Sequence, residues 1–208
     1  MPNHCESDLY IYCDNVVENK KFLKQYFLIP EDSSIYDETD ISHMCKEALE
    51  KEVLGRKWDL CHITIPYPET FAKRDRIIEK YGRSPTKEQI VEIYKELGET
   101  PKKEKPYDGF NSGGYEWCVN NWGTKWGVYD VRLTEAMKYG NGLYLALSFD
   151  SAWSPPTPVI KKMGEMFPDL QISMYSYERG CAFISGIEMQ RGEIIDEWSH
   201  GYYGYRGG

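Results

Sequence analysis

The chain has no cysteine pair at CxxC spacing, no apolar run near the ~20 residues a membrane span needs, and no excess of positive charge. Each lack excludes something. Six cysteines, at positions 5, 13, 45, 61, 118 and 181, follow no regular spacing, so reduced thiols in a cytosolic setting are expected rather than a disulfide framework. No P-loop, GxGxxG after a strand, HExxH or GxSxG occurs. The common phosphate, dinucleotide, zinc-protease and serine-hydrolase signatures are thereby missing, and no cofactor is expected. The opening Met1 to Asp8 is polar and reads as no secretory signal. With a formal net charge of -8, the chain repels nucleic acid on average. Aromatic residues are what it has in plenty: 17 Tyr and 6 Trp, enough to predict exposed rings of the kind enriched at interfaces.

The 208 residues suit one large domain or two small ones. Leu9, Ile11 and Cys13 alternate with Tyr10 and Tyr12 as in a half-buried strand. An N-cap at Asp14-Asn15 then opens a helix carrying Val16, Leu23, Tyr26 and Phe27, up to Pro30. After an acidic loop over 31–40, Ile41, Met44, Cys45, Ala48, Leu49 and Val53 predict a second helix that stops near Gly55. Residues 60–65 read as a strand. Two helices in tandem follow, about 70–81 and 85–97, with Ile90, Val91, Tyr94 and Leu97 as the apolar stripe of the second. From Lys73 to Lys105 ten Lys/Arg face seven Asp/Glu, so this stretch is about +3 and the rest about -11. It is either a basic patch or a set of solvated helix faces.

From Gly109 onward the spacing changes. A helix over 113–121 leads into strands at 129–133 and 143–149 around the turn Tyr139-Gly140-Asn141-Gly142. A helix from Pro155 to Phe167 points Val159, Ile160, Met163 and Phe167 inward, and strands near 170–177, 181–187 and 193–198 complete the set. The expected class is α+β, an antiparallel ferredoxin-like sheet with helices on one face and an inserted helical segment at about 69–107. Two divisions are open. Either residues 1–107 form an N-terminal β-α region beside a domain at 108–208, or the first strand joins the same sheet and the domain is continuous.

Two short stretches stand out: Trp122-Gly123-Thr124-Lys125-Trp126 and Asp150-Ser151-Ala152-Trp153-Ser154-Pro155-Pro156. Lys125 between two tryptophans could cradle an anionic, planar ligand such as a nucleotide, with Asp150 selecting polar edges. Alternatively Trp122 and Trp153 cover the end of the sheet and a Lys125–Asp150 pair holds the corner. The candidate ligand- or partner-binding set is Trp122, Thr124, Lys125, Trp126, Asp150, Trp153 and Glu178. No catalytic residue is assigned. The pairs His4-Cys5, His43 with Cys45 and Cys61-His62 lack zinc spacing, and no metal site is expected. The tail Tyr202 to Gly208 reads as a frayed end.

The two tryptophan stretches, with Phe167-Pro168 and Glu178-Arg179-Gly180, resemble the YubB-type ferredoxin-like domain of phage and plasmid proteins over about 109–198. Pro2-Asn3-His4-Cys5, running straight into a strand, is similar to how such proteins begin. The resemblance implies a ferredoxin-like fold in a mobile element, in the cytoplasm of a host cell, without an activity to carry over. The name implies no iron–sulfur cluster, because the cysteine spacing is wrong for one.

Three functions follow as expectations. The first is a non-enzymatic accessory protein of a phage or mobile element, binding a host protein or small ligand in counter-defence. The second is a sponge for, or an enzyme acting on, a nucleotide-type signal, with Lys125 on phosphate and Asp150 or Glu178 as acid/base. The third is a nucleic-acid binder using the 73–105 stretch. No membrane partner is expected, and an oligomer is compatible with the sequence.

Overall fold

In the computed structural model, residues 3–33, 39–51 and 57–201 are described. Strand β1 (His4–Cys13) runs through the interior of a six-stranded antiparallel sheet. Its flanking partners are β3 (Gly142–Ala152) and β4 (Gln171–Glu178). The full order is β2-β3-β1-β4-β5-β6, with β2 (Tyr129–Tyr139) at one edge and β5 (Phe183–Gln190) and β6 (Glu193–Gly201) at the other side.

Alternation in β1 decides the layers. Cys5, Leu9, Ile11 and Cys13 are buried, while Glu6, Tyr10 and Tyr12 are exposed. The same period places Leu143, Leu145, Leu147 and Phe149 of β3 and Ile172 and Met174 of β4 in one core. Among the described residues, helices cover only that face. α1 (Val16–Phe27), capped by the Asn15 side chain, contributes Phe22, Leu23, Tyr26 and Phe27. α2 (Ser42–Glu50) adds Cys45 and Ala48, and lies against β2 through the Asp40–Met137 bridge. α7 (Thr157–Met166) supplies Val159, Ile160 and Met163. Each of these large apolar side chains contributes about 1.5–3 kcal/mol by leaving water. The architecture is the expected α+β class.

Residues 60–65 do not form a strand. They form α3 (Leu60–Thr64), capped by Asp59, whose side chain accepts from the Cys61 amide at 2.9 Å. The buried positions explain the outcome: Leu60, Cys61 and Thr64 all face the interior, a helical spacing that a strand would split between two faces. Thr64 Oγ1 also donates to the Leu60 carbonyl at 2.8 Å.

α4 (Glu69–Lys80) and α5 (Lys87–Leu97) make the tandem pair, and a capping box at Thr86 and Gln89 starts the second. Ile93 and Tyr94 are its buried residues, whereas Val91 of the expected stripe is exposed. Arg74, Arg76, Lys80 and Lys95 pair with Glu99, Glu69, Glu96 and Glu92. The basic stretch is therefore laced with its own carboxylates. α6 (Gly114–Trp122) ends at Gly123 and delivers the chain to the tryptophan corner. Val53, Gly55, Pro2 and the tail 202–208 lie outside the described residues. Among the described residues no helix is long and apolar enough to cross a membrane.

Candidate functional site

The tryptophan corner is assembled where α6 meets the end of β3. Trp122 is 1% exposed; its indole donates to the Ile65 carbonyl at 2.8 Å and its ring packs on His62, Tyr67 and Trp117. Thr124 is equally buried, with Oγ1 3.0 Å from both the amide and the carbonyl of Ala152, so it staples the corner to β3. Gly123 is required here: its φ is 78°, and a Cβ would approach Pro158 Cδ to 2.7 Å. These residues build the corner from the inside.

Three others do reach solvent. Trp126 and Trp153 are 36% and 37% exposed, and Lys125 Nζ sits 4.5 Å from the centroid of the Trp153 ring. Trp153 holds a positive φ of 71°, a costly conformation for a large side chain, and its amide donates to Asn3 O at 3.1 Å. The Lys125–Trp126 half of the expected cradle is thus replaced by a Lys125–Trp153 stack.

Asp150 lies elsewhere. It projects from β3 onto the sheet face that carries no helices, opposite Glu6 of β1, and its ion-pair partner is His4 at 3.5 Å. The Tyr129 hydroxyl lies 2.9 Å from the same His4 Nδ1. Burial, then the charge of Glu6, push the Asp150 carboxyl above its ordinary value, while His4 opposes them. Glu178, by contrast, is buried, and its carboxylate accepts from the Gly180 and Cys181 amides. It closes the β4–β5 loop.

The helix-free face carries a groove of about 430 Å³. One side is acidic: Glu6 and Asp8 on β1, Asp150 on β3, Asp130 on β2, with Arg132 among them. The other is aromatic. Tyr10 and Tyr175 are 6.4 Å apart, Tyr175 and Trp198 are 6.4 Å apart, and Trp198 stacks on His200 at 5.3 Å. Gly186 makes this strip possible, since a Cβ there would stand 2.5 Å from the Trp198 ring. Tyr175 is fixed by donating to Glu188 at 2.6 Å. Arg179 lies over the Tyr177 ring at 5.8 Å and pairs with Glu6 at 3.4 Å. The residues of β1 that alternate with its buried ones, Glu6, Asp8, Tyr10 and Tyr12, were the sequence signal for this face.

The thiols are poor nucleophiles. All six cysteines are free, five of them buried, and burial raises Cys5 and Cys45 to about 12. Among the described residues no three His, Cys, Asp or Glu side chains converge to hold a metal ion.

Comparison with known proteins identifies the domain that carries most of this groove. Residues 129–204 match the family model described as the ferredoxin-like domain in Api92-like protein. The fold is also similar to the crystal structure of a protein api92 from Yersinia pseudotuberculosis, with a TM-score of 0.50 at 11% identity. That likeness covers 99% of this chain and 100% of the other, and it concerns the fold alone. No curated protein matches the sequence. The matched domain contains β2 to β6, while Glu6, Asp8 and Tyr10 come from β1 outside it.

Proposed function

We propose that this is a binding protein whose helix-free sheet face takes a positively charged segment of a partner protein. The observation that carries the reading is the groove itself. Four carboxylates, Glu6, Asp8, Asp130 and Asp150, surround it with the Arg132 guanidinium among them and Arg179 paired to Glu6, and Tyr175, Tyr177 and Trp198 form the opposing wall. Carboxylates supply Coulomb attraction for a lysine or arginine, and aromatic faces supply cation–π contact in the same space. Burial, then repulsion from Glu6, raise the Asp150 carboxyl, and a bound cation relieves the second of these.

The same charge works against phosphate-rich ligands on this face. The resemblance of residues 109–198 to phage and plasmid proteins supports a setting in which a mobile-element accessory protein engages a basic surface of a host factor. A second reading rests on a different observation, Lys125 held over Trp153: the corner takes a small, planar anion of the nucleotide type.

Calorimetric titration with a lysine- and arginine-rich peptide, a charge-reversed peptide and adenosine monophosphate separates the two. The proposal expects binding of the basic peptide only, weakened at least ~10-fold (about 1.4 kcal/mol) by Asp8→Asn with Asp150→Asn. Binding of the nucleotide, lost in Lys125→Ala and without binding of the basic peptide, replaces it with the second reading.

A further inference from the structure

The sheet has two edges, and they are finished differently. At β2 the outer backbone is already engaged. The Ile41 amide donates to the Ala136 carbonyl at 3.1 Å, the Lys138 amide to the Thr39 carbonyl at 2.6 Å, and the Ala136 amide to Ser42 Oγ at 3.1 Å. Two register shifts also interrupt the ladder between β2 and β3. Covering segments and bulges are how proteins close an edge to further strands.

The β6 edge is open. Its nine residues pair with β5, and all of them except Trp198 are exposed. Among the described residues its backbone makes no hydrogen bond beyond those to β5. No proline, lysine or arginine occurs in it, although these are the residues that usually guard an edge. Such a strand presents a row of backbone donors and acceptors to an incoming one.

The side chains decide which strand fits. Asp196 stands directly opposite Glu188 in the β5–β6 register, and like charges so placed repel. Glu197 pairs with Lys161 at 2.8 Å, whereas among the described residues no cation pairs with Glu188 or Asp196. Glu188 accepts from Tyr175 on the helix-free face, so Asp196 shares that face with Trp198 and His200. On the opposite face Ile194 pairs with the buried Met189 and is itself 44% exposed. An incoming strand therefore meets carboxylate and rings on one side and an exposed isoleucine on the other. Lysine or arginine alternating with apolar residues matches both, through charge and cation–π contact on one face and apolar burial on the other. A second copy of β6 would instead bring its own Glu193, Asp196 and Glu197 against the same three residues.

We propose that β6 accepts, as a seventh strand, an extended segment of a partner protein in which lysine or arginine alternates with apolar residues. The edge is a docking surface distinct from the groove: β4 and β5 lie between it and Asp8, and Trp198 alone of its residues also lines the groove.

The test is run in Asp8→Asn with Asp150→Asn, so that this proposal and the groove reading fail separately. Its probe is a peptide of alternating lysine and valine, compared with the same peptide N-methylated at every residue, which keeps the charge but cannot donate to a ladder. Calorimetry should give the unmethylated peptide at least ~10-fold tighter binding, and Asp196→Lys, at an exposed position, should weaken that binding at least ~10-fold. Amide exchange should slow at alternate residues of β6 when the peptide is bound. Equal affinity for the two peptides, unchanged exchange in β6, or no binding overturns the proposal. So does a dimer of the peptide-free protein in which those β6 amides are already protected, because a second copy then holds the edge.

Discussion

Burial and the nearby Glu6 hold the Asp150 carboxyl above its ordinary value, and the sign of that shift sets two expectations. A carboxyl whose pKa is higher in the folded protein than in the unfolded chain favours folding when protonated. That contribution is complete below the unfolded-state value and is lost as pH rises through the folded-state value. Asp150→Asn removes this titration. Denaturation across the carboxylate range up to neutrality should show the variant gaining on the parent protein as pH rises. The same substitution weakens binding of a cation, so the pH trend of stability and the loss of binding report on one residue. Thr124 is the contrasting residue, buried and bonded to Ala152. Thr124→Val keeps the shape but leaves the buried Ala152 amide without its acceptor. Urea unfolding should register a loss of about 1–3 kcal/mol. Sequence reasoning places Thr124 and Glu178 among ligand contacts because a hydroxyl or carboxylate beside aromatics has the same composition in a site and in a staple. Only burial separates the two.

At the scale of elements, strands and helices with clean periods were legible. β1 alternates without exception, α1 announces itself at Asn15, and α7 turns Val159, Ile160 and Met163 inward as its spacing requires. α3 was not legible. Five residues rich in β-branched side chains resemble a strand, and what makes them a helix is a cap at Asp59 whose carboxylate also serves Val128, 69 residues away. The pairing of β5 with β6 carries its own test. Gly186 lets Trp198 lie across β5 toward Tyr175, so Gly186→Val should drive the indole off the strip while suiting a strand backbone. The expected outcome is a stably folded protein whose affinity for a basic peptide falls at least ~10-fold, about 1.4 kcal/mol, by calorimetry. For α4 and α5, the ion pairs that tie Arg74, Arg76, Lys80 and Lys95 to neighbouring glutamates leave little field for phosphates. Duplex DNA should show no salt-dependent retention by this chain in a filter-binding series.

For the whole molecule, one asymmetry organises function: among the described residues every helix layer lies on one face of the sheet, and the other face is left to carboxylates and rings. A net charge of -8 by itself argues against nucleic acid as a partner. The location of that charge does not follow from composition, because Glu6, Asp8, Asp130 and Asp150 sit on three strands that the pairing of β1 and of β2 with β3 brings side by side. The tryptophan corner was legible as unusual, yet its chemistry divides between a buried frame and an exposed Lys125–Trp153 pair. Long-range electrostatic attraction predicts that binding at the open face weakens as salt rises and the Debye length falls from about 10 Å at 0.1 M to about 3 Å at 1 M.

The most direct measurement is an amide and indole NMR titration with a lysine- and arginine-rich peptide, read at low salt. The sheet-face account predicts that shifts concentrate at Glu6, Asp8, Tyr175 and the Trp198 indole, and saturate at least ~10-fold more weakly in Asp8→Asn with Asp150→Asn. Shifts confined to Lys125 and Trp153, or unchanged binding in that double variant, would contradict it.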